Sequence, residues 1–322
     1  MNITNTVPRL GFLGVGWLGQ LEAIASSNLA IISVLHDSSP ELLSEAQAIA
    51  PDARIAFTSD DLLAADLDGV IVGPASLNHT FKAIEAIQNN IPVFCQNPFR
   101  MNAPETKILV SAAKKADCLL GFNFPFRHTH AMQCIRNLIA AGEIGNVSRV
   151  NLEFYSSNEV DEAWFYTPPH YGCDSVIKMG VHLLDLAFWT LHFPAVLSVS
   201  NESVTKSLHS PGFEAIAHIH LKNRIAVRLA CSSSLPSGSK AIVSAAFHGE
   251  KGALCFRNIN GSLYDFMTER RRGGSHEALV SPPDAWDGRA AVEWVSSLRV
   301  NRYFDQEAGK FVSLTETIAA IE

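Results

Sequence analysis

The sequence predicts an α/β protein in two parts: an N-terminal doubly wound domain, then a C-terminal α+β domain with a large, open, mostly antiparallel sheet. Three observations support this. Over the first 123 residues, continuous apolar runs alternate with helical patterns, the texture of parallel strands covered by helices on both faces. A glycine-rich turn, Gly14-Val15-Gly16-Trp17-Leu18-Gly19, closes the first apolar run and opens the first helix. From Asn146 onward, short strands follow one another with brief turns, as in antiparallel sheets. The implied division is 1–123 and 124–322.

Leu10–Leu13 is the first strand, and the helix after the turn begins around LEAIA. Ala30–Leu35 is the second strand and ends at His36-Asp37. Ser38-Ser39-Pro40-Glu41 then opens a helix with a cap and a proline at its first position, where a missing N–H costs nothing. Strands near 54–57, 69–73, 92–95 and 118–122 follow, with helices near 76–88 and 103–116. In this setting the glycine pattern predicts an N-terminal Rossmann dinucleotide-binding domain. Gly14 permits the tight turn, Gly16 lets the backbone approach a diphosphate, and Gly19 lets helix and strand pack closely. Val15, Trp17 and Leu18 complete this cofactor-binding turn, whose amides, with the helix dipole, would meet the diphosphate. Asp37, 23 residues after Gly14, accepts hydrogen bonds from ribose hydroxyls and repels a 2′-phosphate. NAD is therefore expected, with NADP disfavoured.

In the second part, Val147–Tyr155, Val196–Val204, Phe213–Leu221, Arg224–Ser232, Ile242–Phe247 and Leu254–Arg257 read as strands. Lys222-Asn223 reads as a two-residue hairpin turn. Ala215, Ala217, Ile219 and Leu221 mark one buried face, with His218 and His220 on the other. That pair, like His128 and His130, lacks a third ligand, so no metal is expected. Arg270-Arg271-Arg272, ahead of Gly273-Gly274, reads as a solvated turn.

The totals narrow the function. Among 322 residues, 47% are apolar and the formal charge is −7, which suits substantial cores and argues against nucleic acid as a partner. Six cysteines show no CxxC pair, as expected of reduced thiols in a cytoplasmic protein. No run of about 18 apolar residues is present, so no membrane partner is expected.

One apolar segment is unusual. From Ser175 to Leu191 the only ionisable side chains are Lys178, His182 and Asp185. On a helix these three fall within roughly 80° of one another, a narrow polar stripe on a greasy cylinder. Unpaired buried charge is costly, so the stripe meets either an internal partner or a ligand.

Val72-Gly73-Pro74 with His79, Val93-Phe94-Cys95-Gln96-Asn97-Pro98, Gly121-Phe122-Asn123, the IAAGEIG segment at 139–145 and the 178–185 stripe occur in this order. Together they resemble the Gfo/Idh/MocA oxidoreductase family. The resemblance implies that Gly73, Pro74, His79 and Gln96 belong to the cofactor site. It makes His182 the catalytic histidine, with Asp185 steadying its helix. Two positions depart from the family pattern. Gln96-Asn97 stands where the family has Glu-Lys, and Lys178 stands where it has aspartate. Asparagine cannot titrate usefully, so Asn97 would orient substrate or cofactor while Lys178 supplies the missing cation. The resemblance also implies a homo-oligomer assembled through the outer face of the second sheet. Arg127, after the crossover, could reach substrate or form a salt bridge. His170, in the WFYTPPHYGC loop, could border the substrate. The expected function is an NAD-dependent oxidoreductase acting on a sugar-like small molecule, and the added positive charge would suit an anionic one. A non-catalytic sensor or scaffold that kept the cofactor fold is the alternative, and NAD-assisted elimination is a third.

Overall fold

A computed structural model describes residues 7–73, 79–96, 103–156, 180–206, 213–233, 235 and 238–321. Within it the chain forms two compact units. In the first, six strands pair in parallel: β1 (Arg9–Leu13), β2 (Ile31–His36), β3 (Arg54–Ile55), β4 (Gly69–Val72), β5 (Val93–Cys95) and β6 (Leu120–Phe122). Their order is β3-β2-β1-β4-β5-β6, which reverses direction between β1 and β4. Helices α1 (Leu18–Ser27), α2 (Pro40–Ile49), α3 (Ser59–Leu63), α4 (His79–Gln88) and α5 (Ala103–Lys115) alternate with the strands. The expected start of α2 is confirmed: Ser39 Oγ accepts from the Leu42 amide and Pro40 occupies the first turn.

In the second unit, α6 (His130–Ala140) is capped by Thr129 and α7 (Val181–Thr190) is buried along its whole length. Eight strands form one sheet: β7 (Val147–Tyr155), β8 (Val196–Lys206), β9 (Phe213–Leu221), β10 (Ile225–Ser232), β11 (Ile242–Gly249), β12 (Gly252–Asn258), β13 (Phe266–Arg272) and β14 (Ser275–Val280). The order is β14-β13-β12-β11-β7-β10-β9-β8. Only the central β7–β10 pair is parallel. Ala215, Ala217, Ile219 and Leu221 are buried as their alternation predicts, while His218 is half-buried and His220 exposed.

Two expectations are corrected. The β9–β10 connection has three residues, Lys222–Arg224, because the left-handed pair is Asn223-Arg224 (φ 71° and 63°) and Lys222 precedes it. Arg270–Arg272 are the last residues of β13, and the turn proper is Gly273-Gly274. Acid partners hold this basic run in the sheet: Arg270 pairs with Glu143 and Glu277, and Arg271 pairs with Glu269. The first stretch of the first unit runs to Pro125, and the unit also takes Asp287–Val312 from the far end of the chain.

That returning segment carries α8 (Arg289–Val300) and the start of α9 (Gln306–Ile321). The apolar spacing Ala291, Trp294, Val295, Leu298 gives α8 its buried face. Trp294 lies on the sheet where only glycine leaves room: a Cβ on Gly69 or Gly121 would sit 2.7 or 2.6 Å from its ring. Among the described residues no helix is long and apolar enough to cross a membrane.

Candidate functional site

The glycine turn sits at the reversal point of the first sheet. Gly14 has φ 92°, and its amide donates to the His36 carbonyl at 2.8 Å. Gly73 follows β4 and donates to the Leu13 carbonyl, also at 2.8 Å. A Cβ on Gly73 would lie 2.5 Å from the Gly14 oxygen, so two glycines let the ends of β1 and β4 touch. At Gly16, by contrast, an added Cβ would meet nothing within 4 Å. The turn is open to solvent at the position where a diphosphate needs the backbone.

Asp37 is buried, with 8% exposure, directly after β2. One carboxylate oxygen accepts from the Val15 amide at 2.8 Å and the other from the Ser39 amide at 2.9 Å. The acid therefore braces the turn. A carboxylate has about four acceptor sites, so it keeps capacity for a ribose. Gln96, at the end of β5, is 2% exposed and donates from Nε2 to Gln20 on α1. Its Oε1 has no donor among the described residues. An open glycine turn, a braced carboxylate and this orphaned acceptor fit a dinucleotide.

Trp17 and Gly19 show a partner that sequence reasoning missed. Trp17 Nε1 donates to Asp287 Oδ2 at 3.3 Å, and a Cβ on Gly19 would lie 2.5 Å from the same oxygen. Gly19 thus makes room for a carboxylate and not only for a strand. Burial raises the pKa of Asp287. The one local signal was Asp287-Gly288 ahead of the apolar spacing of α8. Leu18 opens α1 and His79 opens α4, whereas Pro74 and Asn97 lie outside the described residues.

In the second unit, α7 carries His182 and Asp185 with 5% and 1% exposure. The helix begins at Val181, with Gly180 at its N-cap position. Lys178 and His170 lie outside the described residues. Asp185 receives a bidentate pair from Arg127, with Nε to Oδ2 at 2.7 Å and Nη2 to Oδ1 closer still. The Arg127 guanidinium also lies over the Trp189 and Phe193 rings, at 5.6 and 5.5 Å. Part of the polar stripe therefore meets an internal partner. Arg127, expected to reach substrate or form a salt bridge, commits these donors to Asp185.

His182 packs edge-on against Phe126, with ring centroids 5.7 Å apart. Burial lowers its pKa from 6.5 to about 4, so the imidazole is neutral at pH 7 and able to accept a proton. The depressed value couples to stability. The unfolded chain protonates below its higher pKa first, so stability falls as pH drops from about 6.5 toward 4. Each pKa unit is worth about 1.4 kcal/mol, so the loss is roughly 3 kcal/mol. Urea unfolding across that range should show less acid loss in His182→Phe. An NMR midpoint for His182 near 6.5 would overturn this.

A sequence model described as an oxidoreductase-family NAD-binding Rossmann fold (GFO_IDH_MocA) matches residues 9–124, and one for the GFO/IDH/MocA C-terminal domain matches residues 132–255. The rhizopine catabolism protein MocA of Rhizobium meliloti is 24% identical over 261 residues, covering 79% of this chain and 76% of its own. D-glucoside 3-dehydrogenase of Escherichia coli K12 is 28% identical over 270 residues, covering 74% and 77%. Among solved structures, GenD2 from gentamicin A biosynthesis, in complex with NAD, superposes with a TM-score of 0.78 at 18% identity, covering 97% of this chain and 92% of its own. KijD10, a 3-ketoreductase from Actinomadura kijaniata in complex with NADP and TDP-benzene, gives 0.78 at 15%, covering 98% and 97%.

Proposed function

Because the chain belongs to the GFO/IDH/MocA oxidoreductase family, we propose that it is an NAD-dependent dehydrogenase or reductase for a sugar-like small molecule, with the cation at Lys178 suiting an anionic one. The observation that carries this is the Asp37 carboxylate braced on the Val15 amide of an open glycine turn. The sugar class is supported by relatives such as D-glucoside 3-dehydrogenase. When bound, the dinucleotide supplies the hydride acceptor or donor. The Gly16–Gly19 amides, Gly73, Pro74, His79 and Gln96 would hold it, with Asp37 on the ribose and the Gly14 and Val15 amides already given to His36 and Asp37. His182, neutral at pH 7, takes the hydroxyl proton in the oxidative direction, and Lys178 provides the cation lost at Asn97. Asn97 and His170 orient the substrate. Arg127 acts through Asp185 by fixing the helix that carries His182. Cytoplasmic location and self-association through the second sheet belong to the same reading.

The direct test follows nicotinamide absorbance while the purified protein is offered hexoses, hexosides, sugar acids and sugar phosphates with each cofactor. Oxidation or reduction of a member of these classes is expected. Binding of NAD with no turnover on any of them would favour a sensor or scaffold. The observation favouring that second reading is Gln96-Asn97 in place of the family's Glu-Lys.

Two further outcomes separate a cofactor turn from a merely structural one. Gly16→Ala should leave the urea midpoint of the free protein unchanged, since the new methyl meets nothing. It should nevertheless weaken NAD binding, read by fluorescence titration; unchanged affinity would remove the diphosphate from this turn. NAD should also bind better than NADP, and Asp37→Ala should narrow that gap by relieving repulsion of the 2′-phosphate. Equal affinities in the unmodified protein would take Asp37 out of this role.

A further inference from the structure

We propose that the second unit carries an anion-binding groove, suited to the phosphoryl group of a small molecule, on the part of its sheet formed by β7 and β11–β14. The groove follows from strand register. Arg149 on β7 stands opposite His248 on β11, and His248 opposite Ala253 on β12. Ala253 in turn faces Arg271 on β13, which faces His276 on β14. Directly opposed residues share a face, with Cβ atoms roughly 4.5–5.5 Å apart. One row across five strands therefore holds two arginines and two histidines around a single alanine. The small side chain leaves a hollow, and a groove of about 650 Å³ lies there, extended by Lys251 and Arg272.

Its charge is unusual for this molecule. The lining has four cations and one carboxylate, Glu250, on a chain of formal charge −7. Glu250 is turned toward Asn146, accepting from its side chain at 3.2 Å. Glu269, two residues before Arg271 on β13 and so on the same face, is held by Arg271 at 2.6 Å and His276 at 2.9 Å. Arg149, Lys251 and Arg272 have no carboxylate partner among the described residues.

His248 is the centre of the row. It is half-buried, and its Nε2 lies 3.4 Å from Asn151 Nδ2. Desolvation, then the nearby Arg149 and Arg271, lower its pKa. The two guanidinium groups thus bear on one imidazole from opposite sides with little negative charge between them. A phosphate oxyanion would accept from both forks and favour the protonated imidazole. At the mouth, a Cβ on Gly273 or Gly274 would meet nothing within 4 Å, so a ligand has access.

The test titrates inorganic phosphate into the full-length protein without cofactor, at constant ionic strength, and follows the His248 imidazole by NMR. A saturable shift is expected, with the His248 titration midpoint moving upward and phosphate binding more tightly at lower pH. Arg149→Gln should weaken binding about tenfold, the scale of one charge-assisted hydrogen bond, and Lys251→Gln should weaken it less. Both residues are exposed, so unchanged urea midpoints confirm intact folding. Phosphate bound only at the glycine turn would leave His248 unmoved and be indifferent to Arg149→Gln, which overturns the proposal. Chloride reproducing the shift would reduce it to screening, and this also overturns it. So would loss of self-association in Arg149→Gln without phosphate binding, because the groove would then be a contact between copies.

Discussion

Asp185→Ala should lower the unfolding free energy by about 3–5 kcal/mol, the range for breaking a buried ion pair from one side. The size follows from what is left behind. Asp185 is 1% exposed and the Arg127 side chain only 16%, so the remaining guanidinium can neither lose its proton nor be freely hydrated. Its contacts with Trp189 and Phe193 hold it in place, and cation–π attraction returns only about 0.5–2 kcal/mol. Replacing both partners, as Arg127→Met with Asp185→Leu, should cost much less, because no uncompensated charge remains. Urea unfolding followed by circular dichroism measures both. A loss below about 1 kcal/mol for Asp185→Ala, the scale of an exposed pair, would mean that water reaches the guanidinium.

The second large effect is kinetic. With a substrate identified, His182→Gln should reduce kcat by about 100- to 10,000-fold, the usual contribution of a positioned acid–base group. Affinity for NAD should persist, because the glycine turn and Asp37 belong to the other unit. The neutral imidazole is the relevant species: with its pKa lowered to about 4 by burial, it is uncharged across the neutral range and leaves a ring nitrogen as acceptor. Lys178→Met provides a second arm. If Lys178 supplies the cation absent at Asn97, this variant should also slow turnover while leaving NAD binding intact. A lysine that plays no part would leave kcat unchanged, and His182 alone would then carry the proton. Full activity in His182→Gln would remove the histidine from the chemistry.

Local patterns revealed much of this protein. The glycine turn, its position between strand and helix, and the acid closing β2 are short-range features, so Gly14–Gly19 and Asp37 were legible. Alternation with a period of two foretold which face of β9 is buried. Arg270–Arg272 was not legible as strand, because charge runs suggest solvent unless their partners are known, and Glu143 lies 127 residues from Arg270.

The sequence by itself thus determined the class of fold, the glycine turn between the first strand and helix, and the polar residues 182 and 185 on an apolar helix. Only the tertiary structure decided which distant partners the polar groups take: Arg127 reaches Asp185 across 58 positions, and Asp287 reaches Trp17 across 270. It also decided that Arg149, His248 and Arg271 share one row of the second sheet. The physical reason is the range of the forces involved. Backbone propensity and burial period act between near neighbours and are encoded in spacing. The partner of a buried charge is chosen by whichever strand or helix packs against it, and its sequence separation carries no signal.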